Sequence, residues 1–289
     1  MNTTNFGLTD SICKVLRLMK WLLILPLLYA LWLTAHMLLF DYFTIPTGSM
    51  KPTIKPGDKV VVNKLAFGAR IYTDLHFNTT GQELKSFRMK GLRSLRRGDI
   101  VVLNYPLHGD RISFRINHVY CKRIVGLPGD TVSAVGGYLQ NNNHEELLGN
   151  EKMQRKLAHR ADSVLKGYEV FDVAPFDEHF HWTIKDWGPV YVPRRGDVVR
   201  LTPREATLYN KVLEWETGKK ITCDWDSGKV YADGKEIRWH TFKHNYYYML
   251  GDHAPDSNDS RYWGVVPEEH IVGVVWLRYA QKEKRILNS

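Results

Sequence analysis

Cysteine is scarce. The 289-residue chain has three, Cys13, Cys121 and Cys223. Three scattered thiols exclude a disulfide framework and a cysteine-built zinc site. Cys121 and Cys223 could pair if they lie outside the cytoplasm; two buried free thiols is the preferred reading. A second long apolar run is also missing, which excludes a multi-span membrane protein. No helix-turn-helix, zinc-finger or RNA-recognition pattern organises the net charge of +9, so no nucleic-acid partner is expected. A basic surface near anionic lipid accounts for that charge equally well. His179 and His181, with Asp177 and Glu178 beside them, could approach a metal on one face of a strand, but no second cluster completes a site. No metal or other cofactor is expected.

What is present begins with one apolar run. Residues Trp21 to Phe40 carry no formal charge over twenty positions, about 30 Å as a helix, which matches a bilayer core. Asp41 closes the run, and Lys14, Arg17 and Lys20 precede it. The positive-inside rule therefore places residues 1–20 in the cytoplasm and everything after Asp41 outside. The run exceeds the apolar core of a cleavable signal peptide, so it reads as a retained anchor. Pro26 is tolerable as a kink, and His36 reads as an interfacial side chain.

Beyond the anchor the signals are short Val/Ile-rich runs: Lys59–Asn63, Asp99–Asn104, Ile116–Val125, Val198–Leu201 and Ile271–Tyr279. Each has strand length and composition. Gly57-Asp58, Gly98-Asp99, Gly129-Asp130, Gly196-Asp197 and Gly251-Asp252 recur as turns, and Arg96–Val101 is echoed by Arg194–Val199. One helix is announced by Thr202 as N-cap, Pro203 at the first turn and Glu205 completing a capping box. Ala206, Tyr209, Val212 and Leu213 give it an apolar face, and Gly218 stops it. A second, charge-rich helix is expected within Glu145–Leu165. The fold class is mostly β: an antiparallel sheet core, with a smaller inserted subdomain containing helix and strand, behind one membrane helix. The expected division is 1–20, 21–40, a core of 41–137 and 245–289, and an insertion over 138–244.

Three segments carry residues with chemical potential. In Phe43-Thr44-Ile45-Pro46-Thr47-Gly48-Ser49-Met50-Lys51-Pro52 a serine sits on a turn bracketed by prolines; alone, most such serines are turn residues. In His118-Val119-Tyr120-Cys121-Lys122-Arg123-Ile124 a lysine interrupts an apolar strand. Commonly such a lysine faces solvent. A buried one loses its charge readily, and the neutral amine can take a proton from a serine hydroxyl. In Gly251–Gly264, Asp259 and Arg261 can form an ion pair that pins a loop containing Ser257.

Together, in this order behind an anchor, the three segments closely resemble bacterial type I signal peptidases, which are Ser–Lys proteases. The resemblance covers the anchor, 43–64, 98–105, 120–130 and 251–273. It implies Ser49 as nucleophile and Lys122 as general base, with the Thr47 hydroxyl and the Ser49 N–H forming the oxyanion hole. It implies Ser257 orienting the lysine and Asp259–Arg261 as a structural ion pair. The substrates it implies are exported preproteins carrying signal peptides, cut after small residues, by an enzyme in the bacterial inner membrane with its catalytic domain on the outer face. Phe43 and Ile45, two apart on an extended segment, face the same way and are expected to line a shallow apolar pocket, with Met50 beside them. One departure stands out. Where the family commonly has Gly-Asp-Asn-Arg-Asp/His-Asn-Ser, this chain has Gly251-Asp252-His253-Ala254-Pro255-Asp256-Ser257. A rebuilt loop, stiffened by Pro255, is expected there. Two other functions compete: a Ser–Lys autoprotease and an inactive membrane-anchored binding scaffold.

Overall fold

The computed structural model describes residues 5–73, 86–114, 118–167 and 170–280, without the side chains of 5–16, 18, 37 and 72. The Cys13 and Lys14 side chains and Ile116 lie outside that description. Helix α1 (Asn5–Leu38) carries Pro26 internally. Its stretch Met19–His36 is long and apolar enough to cross a membrane, and none of it is buried against the rest of the protein. The helix ends two residues earlier than the apolar run. Phe40 instead opens strand β1 (Phe40–Thr44), paired through Phe40↔Asn63 with β2 (Lys59–Asn63).

The remaining strands of the main sheet are β3 (Ile100–Asn104), β4 (Val119–Gly126), β5 (Tyr246–Leu250), β6 (Val266–Pro267) and β7 (Ile271–Tyr279). Their order is β1-β2-β7-β3-β4-β5-β6, and every pairing is antiparallel. The chain is mostly β, as its pattern implied. Alternation along β3 explains how the sheet packs on both faces: Val101 and Leu103 join one buried cluster and Val102 another. The smaller cluster gathers Ile45, Met50, Ile54, Val60, Val62 and Cys121 against β1 and β2.

Four of the five Gly-Asp pairs are one repeated device. Gly57, Gly98, Gly129 and Gly196 have φ between 86° and 94°, the left-handed conformation a type II turn needs at its third position. In each, the following Asp carboxylate accepts the backbone N–H three residues back, at 2.8–2.9 Å, from Lys55, Arg96, Leu127 and Arg194. Asp99 is thereby held in its turn, and β3 begins at Ile100. The expected run 198–201 pairs only as Val198–Arg200, with Trp239–Thr241.

The capping-box helix forms in two pieces. Helix α4 (Pro203–Leu208) starts with the Thr202 N–H donating to Glu205, 3.2 Å. Tyr209, at φ −106° and ψ 16°, interrupts it before α5 (Asn210–Thr217); there the phenol turns away to donate to the Tyr191 carbonyl at 2.6 Å. Gly218 closes α5 at φ 66°. The polar helix is likewise split, into α2 (Glu151–Ala158), capped by Asn150, and α3 (Asp162–Lys166). A three-stranded sheet joins Thr131–Val135 to Tyr138–Asn141 and Trp187–Tyr191, so strand partners lie on both sides of residue 138. Cys121 and Cys223 are free. His179 bonds Asp177 at 2.7 Å and stacks on Trp225, and among the described residues no group of metal ligands forms.

One buried charge ties α5 to the core. The Glu216 side chain is fully shielded and takes hydrogen bonds from Tyr246 Oη (2.6 Å), the Lys243 N–H (2.9 Å) and His240 Nε2 (2.7 Å). Burial alone would raise its pKa, but these bonds, His240 foremost, hold it below the usual range. Stability from Glu216 is therefore present at neutral pH and lost as pH falls through its lowered pKa. Glu216→Ala should lower unfolding free energy by about 3 kcal/mol, since it strands the Tyr246 hydroxyl and the Lys243 N–H. Chemical denaturation in detergent measures this, and a change under ~1 kcal/mol would contradict the assigned role.

Candidate active site

Ser49 is held by what flanks it. The segment from β1 to β2 is closed by two backbone bonds, Ile45 N–H to Asp58 O (2.8 Å) and Gly57 N–H to Ile45 O (2.7 Å). Inside it, the Ile54 N–H bonds Met50 O at 2.9 Å, and Met50 and Ile54 are 0% and 1% exposed. Burying two large side chains, each worth about 2 kcal/mol or more, fixes the residue immediately before Met50. Met50 is a plug in the smaller core cluster. Ile45 is likewise mostly buried, Phe43 is half-buried and Thr47 is exposed.

Lys122 comes from β4, between β3 and β5, with Val101 as its cross-strand neighbour. Its side chain leaves the sheet toward the serine loop and not toward solvent. Lys122 is 1% exposed, and its Nζ lies 2.8 Å from Ser49 Oγ. Burial pushes its pKa below the ordinary lysine value, and Arg261 pushes the same way; Asp259, Cys121 and Asp256 oppose. The neutral amine is thus favoured at the atom that touches the hydroxyl. Cys121, on the opposite face of the strand, is pushed up to about 12 by burial and stays a thiol.

The third segment supplies a carboxylate with no exposure. Asp259 pairs with Arg261 through Nε (2.9 Å) and Nη2 (2.6 Å) and accepts from the Gly251 N–H (2.9 Å) and Ser257 Oγ (2.6 Å). The expected ion pair is in place. The Ser257 hydroxyl donates to Asp259, because an ionised carboxylate is a strong acceptor. The departing loop forms a 3₁₀ turn, Ala254–Asp256, so Pro255 sits where its fixed φ suits the chain.

Four further residues assemble the site, and their roles were not read from the sequence. Asp252 forms a bidentate pair with Arg123 (2.8 and 2.7 Å) and also takes the Thr53 hydroxyl. It thereby joins the lysine strand to the serine loop. Gly251 was expected as another turn glycine, yet it has no left-handed φ. Its requirement is space. A Cβ there would meet Ser257 Oγ at 2.2 Å and the Ser49 carbonyl oxygen at 2.6 Å, while the neighbouring His253 N–H bonds that same carbonyl at 2.9 Å. The adjacency of Lys122 to Arg123 and of Gly251 to Asp252 was the available signal; only the fold brings opposite charges together. Gly251→Ala should displace Ser49 and cost at least about a hundredfold in kcat/KM, with near-wild-type circular dichroism. Activity within threefold of wild type would mean the close approach is immaterial.

The family described as "Signal peptidase, peptidase S26" matches residues 18–280. A protein named signal peptidase I from Buchnera aphidicola is 26% identical over 261 residues, covering 85% of this chain and 70% of the relative. Its namesake from Pseudomonas aeruginosa is 27% identical over 267 residues, covering 88% and 70%. That from Aquifex aeolicus is 27% identical over 239 residues, covering 82% and 74%. The family match takes in the apolar span Met19–His36, the serine loop, the lysine strand and the Asp259–Arg261 loop, and the chain belongs to the signal peptidase family, peptidase S26.

Proposed function

We propose that this membrane-anchored serine peptidase removes N-terminal signal peptides from exported preproteins, with Ser49 as nucleophile and Lys122 as general base. The observation that carries the assignment is the 2.8 Å contact between Lys122 Nζ and Ser49 Oγ in a setting with almost no water. In the proposed reaction Ser49 Oγ attacks the scissile carbonyl carbon while the amine takes its proton. The carbonyl oxygen, now negative, is met by the Ser49 N–H and the Thr47 hydroxyl; donors of this kind are worth about 3–4 kcal/mol each. The intermediate collapses, the lysine ammonium protonates the departing amine, and an ester to Ser49 remains. Water, deprotonated by the same lysine, cleaves that ester. Phe43 and Ile45 are proposed as pocket walls for the small side chains, and Ser257 acts on Lys122 by holding Asp259.

Placement of the site favours a substrate emerging from lipid. Ser49 lies only eight positions past Asp41, at most ~30 Å of extended chain. Trp276 stacks on Phe40 at the foot of the sheet, with Tyr42 and Tyr279 also exposed, the residue types that settle at headgroup level. Arg17 and Lys20 flank the other end of the span. We therefore place the N-terminus in the cytoplasm and the sheet on the outer face of the bacterial inner membrane.

The test is cleavage of an added preprotein by purified full-length protein. Ser49→Ala and Lys122→Ala should each abolish cleavage while remaining folded; normal processing by either would overturn the assignment. A chain that cleaves itself but never the added preprotein would indicate an autoprotease instead. Because the lowered pKa concerns the base, activity should rise with pH and level off with an apparent pKa well below the free-lysine ~10.4. A flat profile from about pH 6 to 10 would count against a lysine base.

A further inference from the structure

The rim of the site holds a charge that the mechanism does not use. Asp256 ends the 3₁₀ turn next to Ser257, at the position where the family pattern has Asn. Its side chain is 56% exposed, and its backbone N–H bonds His253 O at 3.0 Å, so the turn fixes where the carboxylate points. It points over the serine loop. A Cβ built on Gly48 would come within 2.5 Å of Asp256 Oδ2, which puts that oxygen within about 4 Å of the Gly48 Cα, one residue from the nucleophile. A lysine ammonium and an imidazole share the rim. Lys51 Nζ is 3.0 Å from the same Gly48 point, and His253 Nδ1 is 3.6 Å from Asp256 Oδ2. Lys51 is exposed on a long, flexible stem that can swing into water; the short aspartate stem cannot follow.

A preprotein must cross Gly48–Ser49 to present its carbonyl to Ser49 Oγ, and its flanking side chains then pass this carboxylate. We propose that Asp256 is a specificity-determining residue that reads charge beside the scissile bond, favouring Lys or Arg there and disfavouring Asp or Glu. The proposal rests on Ser49 being the nucleophile. A unit charge about 6 Å from Asp256 across a half-exposed rim changes binding by roughly fivefold to tenfold, less in salt. The effect reaches the transition state as well. Negative charge develops beside the Ser49 N–H, and a substrate cation paired with Asp256 lessens the repulsion, so the preference shows in kcat as well as KM. Asp256 also favours the charged form of Lys122.

The experiment uses full-length enzyme in detergent and peptides matched except for Lys, Gln or Glu at one place. That place is either the variable position between the two small residues or one of the first two after the cut. Wild type should prefer Lys over Glu by about 25-fold or more in kcat/KM at one of these positions at low ionic strength, about fivefold for each unit of charge, and by less at ~0.5 M salt. Asp256→Asn should bring the ratio within about twofold and shift the rising pH limb toward acid; Asp256→Glu should restore most of both. An unchanged Lys:Glu ratio in Asp256→Asn, with Ser49→Ala inert, overturns the proposal. Cleavage by Ser49→Ala overturns the underlying assignment instead. Should Asp256→Asn fail to fold, a wild-type ratio near one, or one insensitive to salt, is equally decisive against it.

Discussion

The site depends on a lysine amine kept out of water against a serine hydroxyl. In water an ammonium is far more stable than an amine at neutral pH, and a protonated lysine cannot accept a proton. Removing the water shifts that balance, and here it is removed by placing Lys122 on a strand flanked by two others. A desolvated amine without a partner would be a cost alone. The 2.8 Å contact with Ser49 Oγ gives it one. The reciprocal demand falls on the backbone, because a contact that short tolerates little drift in either partner.

The rest of the molecule meets that demand from three directions. Met50 and Ile54 anchor the serine loop from below by burial. The Arg123–Asp252–Thr53 chain ties the lysine strand to that loop by charge. The third is Asp259, whose carboxylate is fully buried and satisfied by Arg261, Ser257 and the Gly251 N–H. An unpaired carboxylate in that position would be several kcal/mol unfavourable; paired, it holds the loop and leaves a fixed negative charge near Lys122. That charge limits how far burial can depress the lysine pKa. Gly251 is the point where all three meet, since no side chain fits between Ser257 and the Ser49 carbonyl.

Local chemistry made much of this legible in the sequence. The span, the strands Lys59–Asn63 and Ile271–Tyr279, the capping box at Thr202 and the Gly-Asp turns all follow from periodicity and backbone preference, which act over a few residues. The family resemblance brought Ser49, Lys122 and the Asp259–Arg261 pair into view, and the fold brings them together. What escaped was set by distant contacts. The burial of Met50 depends on β1 and β2 closing beneath it, and the hydrogen bond of Ser257 goes to the carboxylate two residues on. Tyr209 interrupts a helix whose local pattern is continuous, where its hydroxyl reaches Tyr191. Gly251 resembled four turn glycines and differs from them only in what crowds it.

The central claim is that Lys122 is neutral at working pH because the fold has dried it. Direct titration tests this without assuming anything about catalysis: lysine labelled with ¹³C at Cε, with Lys122→Arg used to assign its resonance, followed by NMR across pH. The account predicts a Lys122 transition well below the ~10.4 of a free lysine. A Lys122 resonance that titrates with the surface lysines would contradict it.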